Sequence, residues 1–409
     1  MQSPRLSDHA KSPAHAANLV RARQEDSTPQ KQLLVPTLIF LGVVSAAVGS
    51  LGAPLLPTIV VVDHVSVASS QWVLTISLLV GAVAAPVMGR LGDGRRRRPV
   101  ILGAVLAGLI GCILSALPLG FGWLLIGRGL QGIGLGLVPL AIAVARDSLP
   151  PERSGPTIAL LGVTTAIGIG IGYPIAGLIT EYLSLDAAFW AGAVVNAVAL
   201  ILGAIALPAS PDRPPRRIDA LGATLLGLGV AGLLLVLAEG QVWGWTSTRT
   251  LAAGVVAIAL LIVWIRYELR VPNPLIDLRL LRHRSVFAAN STVLLIGIGI
   301  YPLLSLVVRY VQAPTSTGYG FGASVVIAGL MLLPFSLASF LANKVAGRVG
   351  RRWSPELVVA GSTIVLLIAM VIFLLARDAY WQLVVTMALA GFGVGCVFAS
   401  NPSQIVRGV

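Results

Sequence analysis

The 409-residue chain holds 16 acidic side chains, four histidines and two cysteines, and their placement decides which chemistry they could do. Cys112 and Cys396 each sit inside an apolar run, GLIGCILSAL and GFGVGCVFAS, where a thiol packs as a small hydrophobe. Neither a disulfide framework nor a four-ligand zinc site can be built from them. His9, His15, His64 and His283 fall outside the apolar runs or at their edges, so no histidine relay crosses them and no metal has a ligand set. The carboxylates Asp63, Glu181, Asp186, Glu239 and Asp378 are scattered over the ends of different runs without histidine partners, unlike a gathered hydrolytic or transfer centre. No GxxxxGK[ST] phosphate loop occurs. The expectation is a chain that is not an enzyme and takes no cofactor. Two charged features stand out: Asp93 among Arg90 and Arg95 to Arg98, and Arg128 alone in an apolar run.

The elements that carry these residues follow from composition. Hydrophobic residues make up 56% of the chain and charged ones 11%, with a mean hydropathy of +0.90. Soluble domains have about 45–50% and about 25%. Such a chain cannot turn its apolar surface to water, so lipid must cover it. Runs of about 18 or more mostly apolar residues number twelve: 34–62, 71–89, 99–118, 122–145, 156–180, 187–207, 219–238, 250–267, 285–308, 322–342, 356–375 and 380–400. Each can cross a ~30 Å hydrocarbon core as a helix. The expected fold class is all-α, a polytopic membrane protein of twelve transmembrane helices.

Residues 1–31 are polar and predict a disordered cytoplasmic tail, with no secretory signal ahead of the first run. With loops assigned alternately to the two sides, 25 of the 29 Lys and Arg fall on the side of the amino terminus. Arg249, Arg309 and Arg377 fall opposite, and Arg128 lies within a run. The positive-inside rule then puts both termini in the cytoplasm and the protein in the cytoplasmic membrane. The net charge of +13 becomes an orientation signal that attracts anionic lipid headgroups, not a nucleic-acid surface. In the longest loop, RYELRVPNPLIDLRLLRHRS, the threefold spacing of Leu275, Leu278 and Leu281 suggests a short amphipathic helix resting in the interface, against the favoured reading of a connector anchored by its own arginines.

Between the second and third runs stands GRLGDGRRRRPVIL, residues 89–102. Gly89 and Gly92 would let two helix ends approach closely, and Pro99 begins a helix where no N–H donor is needed. The loop resembles that of the major facilitator superfamily between helices two and three, G-x-L-a-D-r-x-G-r-[kr]. Gly89, Leu91, Asp93, Arg97 and Arg98 fall in register, and Arg96 replaces a second glycine. The resemblance implies a conformational latch at Gly89, Asp93, Arg97 and Arg98 that breaks when a transporter opens inward. RGLQGIGLG at 128–136 is similar to the family's R-x-x-Q-G-x-G through Arg128, Gln131, Gly132 and Gly134. An arginine at that depth is costly against lipid and should face a cavity or a partner. Run five, GVTTAIGIGIGYPIAGLITEYL, is similar to the antiporter pattern g-x-x-x-G-P-x-x-G-G at Pro174 and Gly177, with Ile169, Tyr173 and Leu178 in place of three glycines. Its Gly168 and Gly172 form a small-xxx-small face for close packing. QWVLTISLL and PNPLIDLRLLR look most like the fourteen-helix drug:proton antiporter branch.

An internal repeat sets the organisation. GRVGRRWSP at 347–355 echoes GRLGDGRRRRP at 89–99, and GFGVG at 391–395 echoes GIGLG at 132–136. Runs two and four therefore recur at ten and twelve, an offset of eight. This predicts an N-terminal six-helix bundle (32–210), two inserted helices with a cytoplasmic linker (211–284) and a partial C-terminal bundle of four helices (285–409). Against the fourteen-helix pattern the second bundle is two helices short. Ser336, Ser339, Gly391 and Gly395 would then lie exposed on an open flank.

Two pseudo-symmetric halves with few central charges are the construction of a secondary transporter working by alternating access. The resemblance implies drug efflux. Few internal charges favour a hydrophobic or cationic small-molecule substrate over a phosphate or sugar acid. Gln71, Trp72, Thr75, Gln131 and Tyr173 are candidate cavity-lining residues, with Asn290 and Tyr301 opposite. Protons would be carried by Asp63, Glu181 or Glu239, paired with Arg128. The alternative is a transporter-derived scaffold or receptor, or an inactive, truncated transporter.

Overall fold

The computed structural model describes residues 29–210, 219–349 and 354–408; the predicted tail before residue 29, the start of the linker (211–218) and the basic stretch at 350–353 lie outside the described residues. All secondary structure among the described residues is helical: α1 (Pro29–Ser50), α2 (Gly52–Val62), α3 (Val67–Ser70), α4 (Trp72–Leu91), α5 (Arg97–Ala116), α6 (Phe121–Gly132), α7 (Leu137–Ser148), α8 (Pro151–Tyr182), α9 (Leu185–Ala206), α10 (Ala220–Trp243), α11 (Thr248–Glu268), α12 (Arg284–Gln312), α13 (Val325–Leu330), α14 (Leu333–Val349), α15 (Pro355–Leu375) and α16 (Tyr380–Gly408). Eleven described spans are long and apolar enough to cross a membrane, and the 32-residue α8 carries the fifth predicted run. Helix is the outcome dictated by lipid, where each backbone N–H and C=O must find its partner within the segment.

The breaks fall where that pairing is chemically interrupted. The first run splits at Leu51, just ahead of Pro54 and Pro57, which bring no N–H. The fourth passes through a 3₁₀ turn, Ile133–Gly136, at its glycines, and the tenth splits between Leu330 and Leu333.

One core joins α1 to α9, from Leu34 through Val105 and Phe189 to Leu207. A second joins α12 to α16, from Ile296 through Phe335 to Val397. The hairpin α10–α11 packs on α4, with Leu226 and Trp264 beside Val87. The two Gly-x-Gly-x-Gly copies make corresponding crossings. A Cβ on Gly132 would fall inside 3.0 Å of the Ser77 carbonyl in α4, and one on Gly391 inside 3.0 Å of the Phe335 carbonyl in α14.

Two expectations are corrected. Ser336, Ser339, Gly391 and Gly395 are not exposed on a flank: the serines are buried, and Gly391 and Gly395 press on the α14 backbone at Phe335 and Ser339. The flank was expected from the count of helices in the second bundle, but these small residues serve close helix approach, Gly391 and Gly395 of α16 against α14 and Ser336 of α14 against Gly170 of α8. The predicted interfacial helix is a 3₁₀ turn, Leu278–Arg282, and Leu275 does not rest on its surface. Leu275 is buried beneath the hairpin against Leu226 and Trp264, because Arg90 of α4 donates to its carbonyl at 3.1 Å and also to that of Pro274.

Candidate functional site

Arg128, in the second half of α6, is 0% exposed. Its Nε donates to the Val73 carbonyl at 3.1 Å, Nη1 to the Val48 carbonyl at 3.1 Å and to Gln131 Oε1, and Nη2 to the Gly49 carbonyl at 2.8 Å. Val48 and Gly49 belong to the last turn of α1, where a helix end leaves carbonyls short of intrahelical donors; the Val48 carbonyl also accepts the Leu51 N–H at 3.3 Å. The guanidinium therefore caps the break in the first run and ties it to the start of α4. Gln131 passes the network on, donating from Nε2 to Ser115 Oγ in α5 at 3.2 Å, and Ser77 donates to the Arg128 carbonyl at 2.8 Å. The hydrogen-bond partners of Arg128 are backbone carbonyls and the Gln131 amide.

The carboxylates lie elsewhere. Glu239 of α10 accepts from Trp72 Nε1 at 3.0 Å, which fastens the hairpin to α4. Glu181 is exposed at the end of α8. Asp63 follows α2 beside His64; burial raises its carboxyl above the usual range, Asp186 adds to the rise and His64 opposes it.

Among the predicted cavity residues, Tyr173 stands within electrostatic reach of Arg128 on one side and of Tyr301 of α12 on the other. Trp72 is held by Glu239, Thr75 donates to the Gln71 carbonyl at 3.1 Å, and Asn290 donates to Val286 of its own helix at 2.8 Å. Asn290 and Tyr301 are exposed.

Helix α8 presents two bare faces. Gly168 and Gly172 meet α1 at Val43, Ala46, Ala47 and Ser50. Gly170 and Gly177 meet Ser336 of α14 and Val325 of α13, while Gly329 of α13 lies against Pro174, a Cβ there falling 2.9 Å from its Cα. One helix thus joins the two cores through contacts in which almost no side chain intervenes.

At the end carrying Arg97, the expected latch is rearranged. A Cβ on Gly89 would meet nothing within 4 Å, whereas one on Gly92 would run into Leu140, so the close approach belongs to Gly92. Asp93 is exposed. Arg97 is 4% exposed; it donates from Nε to the Gly92 carbonyl at 2.8 Å and forms an ion pair with Asp147 of α7 at 2.9 Å. Arg98 binds Ser210 through its backbone N–H at 3.0 Å and the Ala204 carbonyl through Nη2 at 2.6 Å. These residues border a cavity of about 220 Å³ with Ser148.

The model of the Major Facilitator Superfamily matches residues 38–409. The chain belongs to that superfamily. It is 30% identical over 349 residues to an uncharacterized MFS-type transporter of Mycobacterium tuberculosis, covering 83% of this chain and 49% of that protein. A multidrug resistance protein B homolog of the same organism is 30% identical over 358 residues, with 82% and 64% covered. The chain thus spans about half to two thirds of the length of these curated relatives. The crystal structure of the human organic anion transporter MFSD10 (TETRAN) superposes with a TM-score of 0.60 at 20% identity, covering 93% of this chain and 87% of that one. That of a peptide transporter POT in complex with sulfate gives 0.56 at 16% identity and 92% of each. At such identities the likeness speaks for the fold alone. The superfamily chain is a multi-pass membrane protein of a transporter family, not of an enzyme family.

Sequence reasoning missed Asp147 and the carbonyls of Val48, Gly49 and Val73. Asp147 had a signal, an acid beside Arg146 at the end of the fourth run; the carbonyls had none.

Proposed function

We propose that this chain is a secondary transporter, or the larger part of one, that exports hydrophobic or cationic small molecules across the cytoplasmic membrane by alternating access. The observation that carries the reading is α8, whose glycine faces let one core slide on the other with few side chains to disengage. Tyr173 of α8 lies within electrostatic reach of Arg128 and of Tyr301 of α12, which supports a polar contribution from both cores near that seam. The name of the multidrug resistance homolog supports drug-like substrates. The PNPLIDLRLLR loop and the hairpin between the two cores support the fourteen-helix drug:proton antiporter branch, divided at 32–210, 211–284 and 285–409. The basic ends, Arg97 and Arg98 among them, face the cytoplasm with both termini, beside anionic headgroups. Proton coupling completes the reading, with Glu239, Asp63 or Glu181 as the titrating acid.

Inverted membrane vesicles from a drug-sensitive host test it. Uptake of a hydrophobic cationic dye, driven by an imposed pH gradient and lost on collapsing that gradient, is the expected result. Dye movement equal to that of empty-vector vesicles would overturn transport, and movement indifferent to the gradient would overturn the coupling alone.

A further inference from the structure

At the Arg97 end of the inserted hairpin two carboxylates are each left half satisfied. Asp219 caps α10: its Oδ1 accepts the Gly222 N–H at 2.8 Å and the Tyr267 hydroxyl at 3.0 Å, while Oδ2 is buried without a hydrogen-bond partner. Glu268, the last residue of α11, is 1% exposed. Its Oε1 accepts the Ile276 N–H, the Leu275 N–H also favours the carboxylate, and its Oε2 is likewise buried without a hydrogen-bond partner among the described residues. Both orphan oxygens converge on one place, since a Cβ built on Gly222 would lie within 3.0 Å of each. A glycine at 222 is what lets them meet.

Among the described residues, the surrounding charges make no hydrogen bond to either orphan oxygen, although the charge of Arg90 favours the ionised form of Glu268. Arg90 of α4 faces Glu268, but its guanidinium is engaged by the Pro274 and Leu275 carbonyls. The Tyr267 hydroxyl is aimed at Asp219 Oδ1. On the linker, Asp277 accepts the Arg279 N–H at 3.1 Å, and Arg279 donates to the Leu269 carbonyl at 2.8 Å. Arg213, Arg216 and Arg217 precede Asp219 in sequence and lie outside the described residues. The two helix dipoles act oppositely: the start of α10 favours an anion at Asp219, and the end of α11 disfavours one at Glu268. With both orphan oxygens beside Gly222, ionising a half-buried Asp219 and a buried Glu268 together is unfavourable, and a proton on one of them relieves the repulsion. Two free oxygens fall short of the roughly six ligands that calcium or magnesium requires. No cluster of three or more metal-capable side chains occurs among the described residues.

We infer that Glu268 carries a proton that its Oε2 donates to Asp219 Oδ2, making this end of the hairpin a proton-binding site that holds the linker against α4. The linker is gripped there by Glu268 through the Ile276 N–H, by Arg90 through two carbonyls, and by burial of Leu275. Losing the proton sets two charges against each other and loosens that grip. The site is independent of the substrate proposed above.

The test uses the full chain in lipid nanodiscs. Amide exchange across 274–278 is followed from mildly acid to alkaline pH and corrected for intrinsic chemistry. Wild-type protection should fall about tenfold or more as pH rises. Glu268→Gln, whose amide can donate to Asp219 at every pH, should keep its protection, and Glu268→Ala should exchange fast throughout. A pH-independent wild type, a pH step that survives in Glu268→Gln, or a Gln variant as open as the Ala variant would each overturn the inference. A second measurement needs no variant: infrared spectra of the wild type should show a protonated carboxylic-acid band that moves on isotopic labelling of glutamate. A spectrum with no such band overturns the inference as well.

Discussion

Replacing Arg128 with lysine keeps the charge and removes the geometry. The guanidinium makes four hydrogen bonds, to carbonyls at the end of α1, to one at the start of α4 and to Gln131. An ammonium has three donors on one nitrogen and cannot span acceptors on two helices as the planar fork does. Two of the four bonds should be lost. Hydrogen bonds to a charged group are worth about 1.5–3 kcal/mol each, so the local arrangement loses about 3–6 kcal/mol. At about 1.4 kcal/mol per factor of ten, the closed break at Leu51 falls in population by at least two orders of magnitude relative to open forms. Two assays read this in nanodiscs and vesicles: amide exchange across 50–53, and dye transport. Exchange should rise by about a hundredfold or more in the lysine variant, and transport should fall to near background. Wild-type protection at 50–53 would refute the capping argument, whatever the transport rate does.

The remaining predictions concern the Arg97 end, the helix crossings and pH. Asp147→Asn leaves Arg97 buried without its carboxylate and should lower stability by about 3 kcal/mol, the low end for breaking a buried pair, because Asp147 is partly exposed; Asp93→Asn should cost far less in the same thermal unfolding assay. Gly132→Ala and Gly391→Ala each drive a Cβ into a carbonyl and should destabilise by about 1–3 kcal/mol. Gly103→Ala, with open space around it, should be neutral or stabilising. The raised carboxyl of Asp63 favours its protonated form in the fold, so its contribution is present at acid pH and is lost as pH rises past the ordinary carboxylate range. Asp63→Asn should match the wild type at acid pH and exceed it at neutral pH, as read from unfolding temperatures.

What could be read from the sequence was what lipid dictates. Runs long enough to cross a bilayer have one available structure, so eleven spans and α8 appear where apolar composition placed them. The repeat was legible because crossing helices need bare positions, and Gly132 and Gly391 meet the same place on α4 and α14. Illegible features were those in which one residue type serves opposite purposes. Ser336 and Gly395 were expected on an open face from the count of helices, yet their smallness serves close contacts of α14 and α16 with neighbouring helices. Gly89 and Gly92 look equivalent in the loop, and only the position of Leu140 tells them apart. Leu275 fitted a threefold spacing, but Arg90 holds its carbonyl and turns it into the hairpin core.

Arg128 shows why a search for counter-charges fails in such a chain. A buried arginine was expected to find a carboxylate, because in a sequence only side chains have charges to match. Where a helix breaks inside an apolar run, its last carbonyls form the negative end of a dipole of about half a charge, with no water to satisfy them. Gly49 and Val48 at the end of α1 offer carbonyls, Val73 in the first turn of α4 adds a third, and Gln131 Oε1 is the fourth acceptor. Backbone carbonyls and one amide can thus answer a cation, and the arginine in turn offsets part of the cost of the break. An acid near Arg128 is then not required for its burial, which moves the search for a titrating group away from the centre. Away from Arg128, burial raises the carboxyl of Asp63 after α2, and Glu268 at the end of α11 has an orphan oxygen beside that of Asp219 at a bare Gly222.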